Sequence, residues 1–419
     1  LATAAYALFY VVQRARGLEP SYTAIAGRTL PARRLVVDGT YQRGLYVCSL
    51  VTAGFAFVLT AVLLLELLLQ RFAPRPALIA SACTVLATPF FAYGTSFYGH
   101  VVAGAFLVAA LFALDRQSAR PSRRAAVLAG ACLALAAGCE YITAAPALVI
   151  ALTCSYRTLP AQRLALLGNL CIGALAPVLL VSGYHWFCFG APWRTGYTRL
   201  TNPMFVAGHA RGLLGIQLPT FDGLVGQLVG ERRGLFLIAP LCALALVYAL
   251  ISWRKRADFC AHAALLGFGT LLLVSSGYYM WWGGAAAGPR HLVPALPFLA
   301  FGLAAAFSHN RVRWLAALLG IVSLVNVLVL VVVGLEAPES GNVLVDYAYH
   351  YFSLGRVALN SGASNLGVRV GLAPGATLGP LLVWLLLGAY FLLKRAEPWL
   401  SDEAPGSETP SLEAQPERS

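Results

Sequence analysis

The chain has 419 residues, of which 59% are hydrophobic and only 11% are charged. A soluble domain carries about 25% charged residues, so the composition excludes a soluble globular protein and indicates an integral membrane protein. The net charge of +13 does not indicate a nucleic-acid partner. Its basic residues, all arginine except Lys255 and Lys394, are spread through short loops between apolar segments, which is typical of membrane topology signals.

The N-terminal segment LATAAYALFYVV (1–12) begins directly in apolar sequence. It has neither the basic start nor the small-residue cleavage site of a signal peptide, so we expect native sequence to be missing upstream. The nine cysteines lie mostly within apolar runs and form no CxxC pair. We interpret them as packing residues rather than as disulfide partners or metal ligands.

The apolar segments predict the fold class, since a helix that crosses a bilayer needs about 17–25 predominantly apolar residues. The fold is predicted to be all-α, a polytopic transmembrane helix bundle of about 11 spans, several of them short, with outward-facing loops. In chain order the candidate spans are 45–69, 76–93, 100–114, 125–139, 141–154, 162–187, 234–252, 260–281, 292–308, 313–334 and 376–393.

The basic residues segregate into alternate connections between these spans. The corners 94–99, 140–141 and 282–291 carry a single basic residue, Arg290. By the positive-inside rule these corners face outward, and the basic connections are cytoplasmic. The basic connections contain Arg71 and Arg75; Arg116, Arg120, Arg123 and Arg124; Arg157 and Arg163; Arg254, Lys255 and Arg256; Arg311 and Arg313; and Lys394 and Arg395.

Residues 125–154 could form one long helix or two short ones. One helix would reverse every later loop and put the basic run 254–256 outside, so we predict two helices with Glu140 at the outer tip. The same orientation places the loop 13–44 on the outward side.

Three regions follow from this orientation. Residues 1–44 are the outward-facing juxtamembrane and first-loop remnant. Residues 45–394 are the transmembrane domain, with outward loops 188–233 and 335–375. The tail 395–419 is polar, rich in proline, serine and glutamate, and predicted to be disordered in the cytoplasm.

Histidine and tyrosine concentrate on the outward side. The interfacial preference of aromatic residues explains part of this distribution, but not the preference for one interface or the ionisable residues at tight turns. Because ionisable groups at membrane depth are costly and mark functional sites, we predict the active site at the outer mouth. The outward histidines are His100, His185, His209, His291 and His350.

Arg290 and His291 follow the stretch GGAAAG (283–288) and precede apolar sequence. Glycine permits close approach of the backbone to a ligand, and a guanidinium binds phosphate through two parallel hydrogen bonds. Arg232 and Arg233 precede a span on the outward side, against the topological bias, which indicates an anionic ligand there. For Arg290 the alternative is a topological or packing role, and for His291 it is interfacial anchoring.

His100 opens a span after SFYG, and Glu140 lies at a hairpin tip. An interfacial position is the alternative for His100, and simple solvation is the alternative for Glu140. We expect both residues to converge with Arg233 and Arg290 around one outward cavity near the membrane surface.

Five segments, in this order, resemble the GT-C superfamily, whose members are polytopic glycosyltransferases that use lipid-linked sugars. Protein O-mannosyltransferases and aminoarabinose transferases belong to this group. The resemblance covers most of residues 1–310. The segments are ALIASACTVLATPFFAYGTSFYGHVVAGAFLVAALFALDR (77–116), LAGACLALAAGCEYITAAPALVIAL (128–152), YHWFCFGAPWRTGYTRLTNP (184–203), GERRGLFLIAPLCALAL (230–246) and GGAAAGPRHLVPALPFLA (283–300).

The resemblance implies a glycosyltransferase that moves a sugar from a polyprenyl-phosphate-linked donor to a periplasmic or outer-leaflet acceptor, which is a lipid, glycan or protein. The implied setting is a bacterial inner membrane, with the active face on the periplasmic side. No nucleic-acid partner is expected. A divalent metal is a possible cofactor, and the sequence identifies no ligand set for it. The alternative function is a lipid-linked saccharide transporter or a non-catalytic polytopic protein.

The resemblance also assigns roles to residues. The second acidic position of the family is occupied by His100, and the first-loop acid is either missing upstream or supplied by Glu19 or Asp38. The full set of expected site residues comprises His100, Glu140 and Asp38 in catalysis; Arg290, His291, Arg232 and Arg233 at the donor phosphate; and Tyr98, Tyr197, Tyr279 and Trp282 at the sugar or acceptor.

Overall fold

The structure is a computed structural model that describes residues 2–16, 39–255, 258–357 and 366–401. Within these ranges the chain forms helices and no β-strand, apart from isolated bridges such as the one between Ile216 and Tyr278. The all-α prediction is therefore confirmed. Helices suit an apolar surrounding because they satisfy their backbone hydrogen bonds internally.

In the first half of the chain, the helix Gly99–Ala119 packs against the helix Arg123–Cys139, and the latter packs against the helix Pro160–Phe189. A π-helix (Leu50–Gly54) joins α2 to α3, and a 3₁₀ turn (Tyr141–Thr143) precedes α8. These helices are α1 (Ala2–Ala15), α2 (Gly39–Ser49), α3 (Phe55–Leu69), α4 (Pro74–Leu86), α5 (Pro89–Gly94), α6 (Gly99–Ala119), α7 (Arg123–Cys139), α8 (Ala144–Arg157), α9 (Pro160–Phe189) and α10 (Pro203–His209).

The second half contains a 3₁₀ helix (Arg290–Leu299) that leads directly into an α-helix, and a π-helix (Val343–Tyr349) in the loop after the following span. The helices are α11 (Phe221–Leu228), α12 (Leu235–Ile238), α13 (Leu241–Lys255), α14 (Phe259–Ser276), α15 (Ala300–Phe307), α16 (Arg313–Val333), α17 (His350–Ser353), α18 (Leu366–Arg369) and α19 (Leu378–Ser401).

Seven helical segments among the described residues are long and apolar enough to cross a membrane. They indicate an integral membrane protein, as the composition predicts, but the count of about 11 spans is not confirmed. The seven segments are Arg43–Leu69, Gly99–Ala119, Pro160–Phe189, Phe259–Ser276, Arg290–Phe307, Arg313–Val333 and Pro374–Phe391.

The other predicted spans are helical but short or interrupted. The span predicted at 76–93 divides into α4 and α5 at Thr88-Pro89, and the span predicted at 234–252 divides into α12 and α13 at Pro240. Proline lacks the backbone N–H and disfavours helical backbone in the preceding residue. The helices α7 and α8, with 17 and 14 residues, are the short pair predicted on either side of Glu140. Glu140 has extended backbone and separates them.

Several helix ends meet in a polar cluster that we name the ion-pair face, defined by Arg71, Asp115, Asp258, Arg157 and His262. Arg71 follows α3 and hydrogen-bonds Asp115 near the end of α6; its Nε also donates to Asp258 at the start of α14 over 2.7 Å. Arg157 at the end of α8 lies 2.7 Å from the ring of His262 in the first turns of α14. The ends of α3, α6 and α8 and the start of α14 therefore lie on one side.

The opposite helix ends meet in a second cluster, which we name the aromatic face, defined by His100, Glu140, His185, Tyr278 and His291. It contains the start of α6 and the ends of α7, α9 and α14. These helices therefore run alternately between the two faces. The two-helix prediction for 125–154 is confirmed, because α7 ends at the aromatic face and α8 ends at the ion-pair face.

The helix α19 belongs to a separate unit that begins at Gly379. It continues to Ser401, so residues 395–401 are helical, although we predicted the disordered tail to begin at residue 395. Residues 17–38 and 402–419 lie outside the described residues. Asp38, Glu19 and most of the predicted first loop and tail fall in these ranges.

Candidate functional site

The corner between α14 and the 3₁₀ helix, residues 277–289, is held by both long loops that we predicted to face outward. The backbone N–H of Tyr279 donates to Gly215 in the first loop over 2.8 Å. The N–H of Ala287 donates to Leu335 in the second loop over 2.7 Å. The loops and the corner therefore form one assembly, and Arg290 follows it directly.

Arg233 joins the corner 277–289 to the second loop through hydrogen bonds. Its side chain is 1% exposed, and its guanidinium donates four hydrogen bonds of 2.7–3.0 Å to the backbone carbonyls of Arg232, Trp282, Gly284 and Pro338. Burial lowers the pKa of Arg233 to about 10, so the group is still cationic at neutral pH. We predicted a phosphate ligand at this position. Because the guanidinium is occupied by protein carbonyls, the structure favours a structural role instead.

Arg290 lies against the backbone of the same corner. Gly283 has a φ of +77°, and a Cβ atom placed there would lie 2.8 Å from Cγ and 2.9 Å from Nε of Arg290. Because Gly283 has no side chain, the Arg290 side chain can pack against its backbone. We expected the glycines to allow close approach of a ligand instead. The Nε atom of Arg290 is buried and has no hydrogen-bond partner in the described part of the chain.

The predicted pair His100 and Glu140 is brought together from α6 and the α7–α8 connection. Nδ1 of His100 lies 3.1 Å from Oε1 of Glu140, and the imidazole is nearly buried. The contact misses the angles of a hydrogen bond, so Nδ1 has no hydrogen-bond partner within the described ranges. The interaction becomes an ion pair when the ring is protonated. A Cβ on Gly99 would lie 2.9 Å from the same carboxylate oxygen. The carboxylate therefore sits at the N-terminus of α6, where the helix dipole favours negative charge.

His291 connects this pair to Arg290. Its ring centroid is 6.2 Å from that of His100 and 5.1 Å from that of Tyr278. The ring is nearly buried, and neither of its nitrogens has a partner with hydrogen-bond geometry in the part of the chain that the structure describes, although the Met280 backbone is close. The structure thus groups four predicted residues, His100, Glu140, Arg290 and His291, although they come from three distant parts of the sequence.

Arg232 and Trp282 form a second pair beside Arg233. The guanidinium of Arg232 lies 5.5 Å from the centre of the Trp282 ring, a cation–π distance. Nε of Arg232 and Nε1 of Trp282 are both buried and without a hydrogen-bond partner among the described residues. These two nitrogens can only donate hydrogen bonds, so both can bind an acceptor on a ligand.

The predicted tyrosines occupy different parts of the aromatic face. The Tyr98 ring stacks on His100 at 5.8 Å, next to the predicted catalytic pair. Tyr197 stacks on His209 at 3.8 Å, and Tyr279 meets the same imidazole edge-on at 5.0 Å. The faces of Tyr197 and Tyr279 are thus partly covered by protein.

Charges from the site act on the tyrosine hydroxyls. Burial raises the pKa of Tyr98 and of Tyr197, and the positive charge of Arg290 opposes this increase in both. Glu336 adds to the increase at Tyr98, and Glu140 adds to it at Tyr197. Arg290 is therefore electrostatically close to both phenols, with one carboxylate near each.

Glu336 is a carboxylate whose charge acts on Tyr98 at the candidate site and which the sequence analysis did not single out. It lies in GLEAPES (334–340), directly after α16 and at the start of the loop 335–375 that we placed on the outward side. An acidic residue immediately after an apolar span and on the active side was the available signal. Tyr278 and His209 were recognised only as members of the outward aromatic group, although they join His291 to Tyr197.

The described ranges contain no group of three or more His, Cys, Asp or Glu side chains arranged to hold a metal ion. On the aromatic face, two side chains of these types, His100 and Glu140, lie in contact. Participation of a divalent metal therefore stays a prediction.

The close fit between Gly283 and Arg290 gives a direct test of how the arginine is positioned. We expect Gly283→Ala to displace the Arg290 side chain and to destabilise the folded protein by about 1–2 kcal/mol, the scale for a left-handed residue that gains a Cβ. Thermal unfolding of the detergent-purified protein measures this effect. The matched control is Gly379→Ala, since a Cβ there has no atom within 4 Å. Equal melting temperatures for the two variants would contradict the fit.

Searches of protein-family models, curated proteins and solved structures gave no match to this chain.

Proposed function

We propose that this protein is a membrane glycosyltransferase of the GT-C type, and that its aromatic face binds a polyprenyl-phosphate-linked sugar and transfers the sugar to an outer-leaflet or periplasmic acceptor. Arg290 binds the phosphate of the donor. The polyprenyl chain lies in the bilayer beside the apolar segment that begins at Leu292.

One observation carries this proposal. Three N–H groups that can only donate, on Arg290, Arg232 and Trp282, are buried around the corner 277–289 and have no partner among the residues that the structure describes. Leaving a buried donor unpaired costs about 1–3 kcal/mol. A ligand rich in acceptor oxygens removes this cost, and a phosphate matches both the donors and the positive charge of Arg290 and Arg232.

The role of Arg290 in the proposed reaction follows from the negative charge that forms on the leaving group. The donor's glycosidic bond breaks between the anomeric carbon and the phosphate oxygen, and negative charge gathers on the leaving lipid phosphate. A fixed guanidinium in a site that excludes water stabilises this charge in the transition state. The hydroxyl of the acceptor must also lose its proton to a base. The sequence identifies the pair His100 and Glu140 as the candidate for this base. Tyr98 and Trp282 offer aromatic surface to the sugar.

The proposal places the aromatic face outside and the ion-pair face in the cytoplasm of a bacterial inner membrane. The supporting pattern is the concentration of Arg116, Arg120, Arg123 and Arg124 at the connection between α6 and α7, whose ends lie at the ion-pair face.

Cysteine labelling tests this orientation. We expect an impermeant thiol reagent applied outside to label cysteines introduced at Phe97 and Ala285 but not at Ser118 or Lys255. Phe97, Ala285 and Ser118 are exposed, so access to them depends on the side of the membrane. A background without the nine native cysteines provides the control. Labelling at position 255 from outside would reverse the orientation and remove the periplasmic site.

The function itself is tested with the full-length protein reconstituted in vesicles and supplied with polyprenyl-phosphate donors labelled in the sugar. Transfer releases polyprenyl phosphate and attaches the label to an acceptor in the same reaction. Movement of intact labelled donor between leaflets, with no release of polyprenyl phosphate, would identify a transporter. Neither transfer nor movement with any donor of this class would contradict the proposal.

A further inference from the structure

We propose that the helix α11 (Phe221–Leu228) lies in the lipid leaflet at the aromatic face and contacts the acyl chains of the bilayer through its exposed side. The loop 188–233, which we predicted to face outward, thereby gains a lipid-binding surface. Lipid contact by α11 is independent of the proposed sugar transfer.

The exposed side of α11 is apolar. Phe221 and Val225 are 77% and 37% exposed, and Val229, which follows the last helical residue, is 57% exposed. Leu224 and Leu228, also on this side, are partly exposed. The five residues follow the spacing i, i+3, i+4, i+7 and i+8, so they form one continuous stripe along the helix. We name this surface the α11 stripe.

The opposite side of α11, which packs against the protein, carries small and polar residues. Its buried residues are Gly223 and Gln227, and the Gln227 side chain is fully buried. A surface helix of a soluble protein has the reverse pattern, with its apolar stripe against the core and its polar residues in water. The inverted pattern of α11 is expected where lipid, rather than water, surrounds the exposed side.

The contact between α11 and α14 resembles the packing of helices inside a membrane. A Cβ atom on Gly223 would lie 2.3 Å from the carbonyl oxygen of Ser276, so the two backbones are in close contact. The hydroxyl of Ser275 donates to Oε1 of Gln227 over 2.8 Å and links the two helices. Close approach at glycine and hydrogen bonds between polar side chains are typical of helix pairs in membranes.

Hydrogen bonds fix the start of α11 beside the end of a candidate membrane span. The hydroxyl of Thr220, the N-cap of α11, donates to the carbonyl of Ser276 over 2.9 Å, and the N–H of Gln217 donates to Gly277 over 2.9 Å. Ser276 ends α14, which is long and apolar enough to cross a membrane. The eight residues of α11 extend over about 12 Å, too short to cross a bilayer, so α11 lies within one leaflet.

The α11 stripe continues the apolar surface of α14, which favours lipid as its partner. Leu266 and Leu273 are 39% and 48% exposed and lie two turns apart on one side of α14, and Leu273 is one turn before the residue that holds α11. Two features mark the level of the membrane interface. Asp222 is exposed at the margin of the stripe, within reach of headgroups and water. The ring of Trp281 packs on Gly226, and tryptophan favours this level of the bilayer.

Nitroxide spin labels test the surroundings of the α11 stripe. The labels are attached singly to Phe221→Cys and Val225→Cys in a full chain without its native cysteines, reconstituted in phosphatidylcholine vesicles. Oxygen concentrates among the acyl chains, and a water-soluble nickel chelate stays in the aqueous phase. We expect the ratio of oxygen to nickel collision rates at both positions to match that at Leu273→Cys and to exceed that at Thr201→Cys several-fold. Leu273 is the lipid control, and Thr201 is an exposed polar residue of the same loop as α11.

Two outcomes would overturn lipid contact by α11. Nickel collision rates at positions 221 and 225 as high as at Thr201→Cys would place the stripe in water. Low collision rates with both reagents would show that protein covers it, and magnetic broadening between labels would then identify a second copy of the chain as the cover. The measurements involve no sugar donor, so their result and the result of the transfer assay are independent.

Discussion

Replacement of Arg290 by alanine is expected to leave membrane insertion intact and to lower turnover by about 10²–10³-fold, the scale for losing one electrostatic donor to the transition state. We expect this loss because of the position of Arg290. Arg290 is the only basic residue in the short corners predicted to face outward, and its buried Nε has no partner among the described residues. Its charge also reaches the phenols of Tyr98 and Tyr197. Steady-state transfer by the reconstituted protein measures the effect.

Two further variants make this result specific. Arg290→Lys should recover only part of the lost rate, because an ammonium keeps the charge but not the planar fork that binds two phosphate oxygens. Arg194→Ala removes an exposed arginine from the loop 188–233 and should leave turnover unchanged. If Arg290→Ala, at normal expression, transferred sugar at the normal rate, Arg290 would be a topological or packing residue.

Arg233→Ala is expected to have the largest effect on stability. Its guanidinium joins the turn before α12, the corner at Trp282 and Gly284, and the segment at Pro338. Removal leaves these carbonyls without a donor, and each partly buried carbonyl costs about 1–3 kcal/mol when unpaired. We expect a loss of about 2–4 kcal/mol, measured as a lower midpoint of thermal unfolding in detergent.

The adjacent Arg232 supplies the matched control for stability. Arg232→Ala removes a cation–π contact with Trp282, which contributes about 0.5–1 kcal/mol where water has access. Its midpoint should therefore stay close to that of the unmodified protein. Equal destabilisation by the two alanine variants would contradict the structural role of Arg233.

The sequence predicted helix positions well where an apolar run has no proline. The segments predicted at 45–69 and 313–334 correspond to long helices with nearly the same ends. The segment predicted at 162–187 does so as well, although it contains Pro177. The predictions lost accuracy at proline. The span predicted at 292–308 begins as a 3₁₀ helix that contains Pro294 and Pro297, and hydropathy does not distinguish such a segment from an α-helix.

The grouping of His100, Glu140 and Arg290 was predictable because the positive-inside rule assigns sides to corners, and residues on one side of a bundle can meet. The separate tasks of Arg232 and Arg233 were not predictable. Both belong to one ERRG sequence, and only the folded chain shows that backbone carbonyls from two other segments surround the second arginine.

The most direct test of the account is the affinity of the full-length protein for polyprenyl phosphate, the product that keeps the phosphate and the lipid but lacks the sugar. We expect saturable binding by the unmodified protein. Arg290→Ala should weaken this binding at least about tenfold, because a hydrogen bond to a charged group contributes about 1.5–3 kcal/mol and 1.4 kcal/mol corresponds to a factor of ten in Kd. Arg194→Ala should bind normally. Equal affinities for the unmodified protein and Arg290→Ala would contradict the claim that the aromatic face binds the donor phosphate through Arg290.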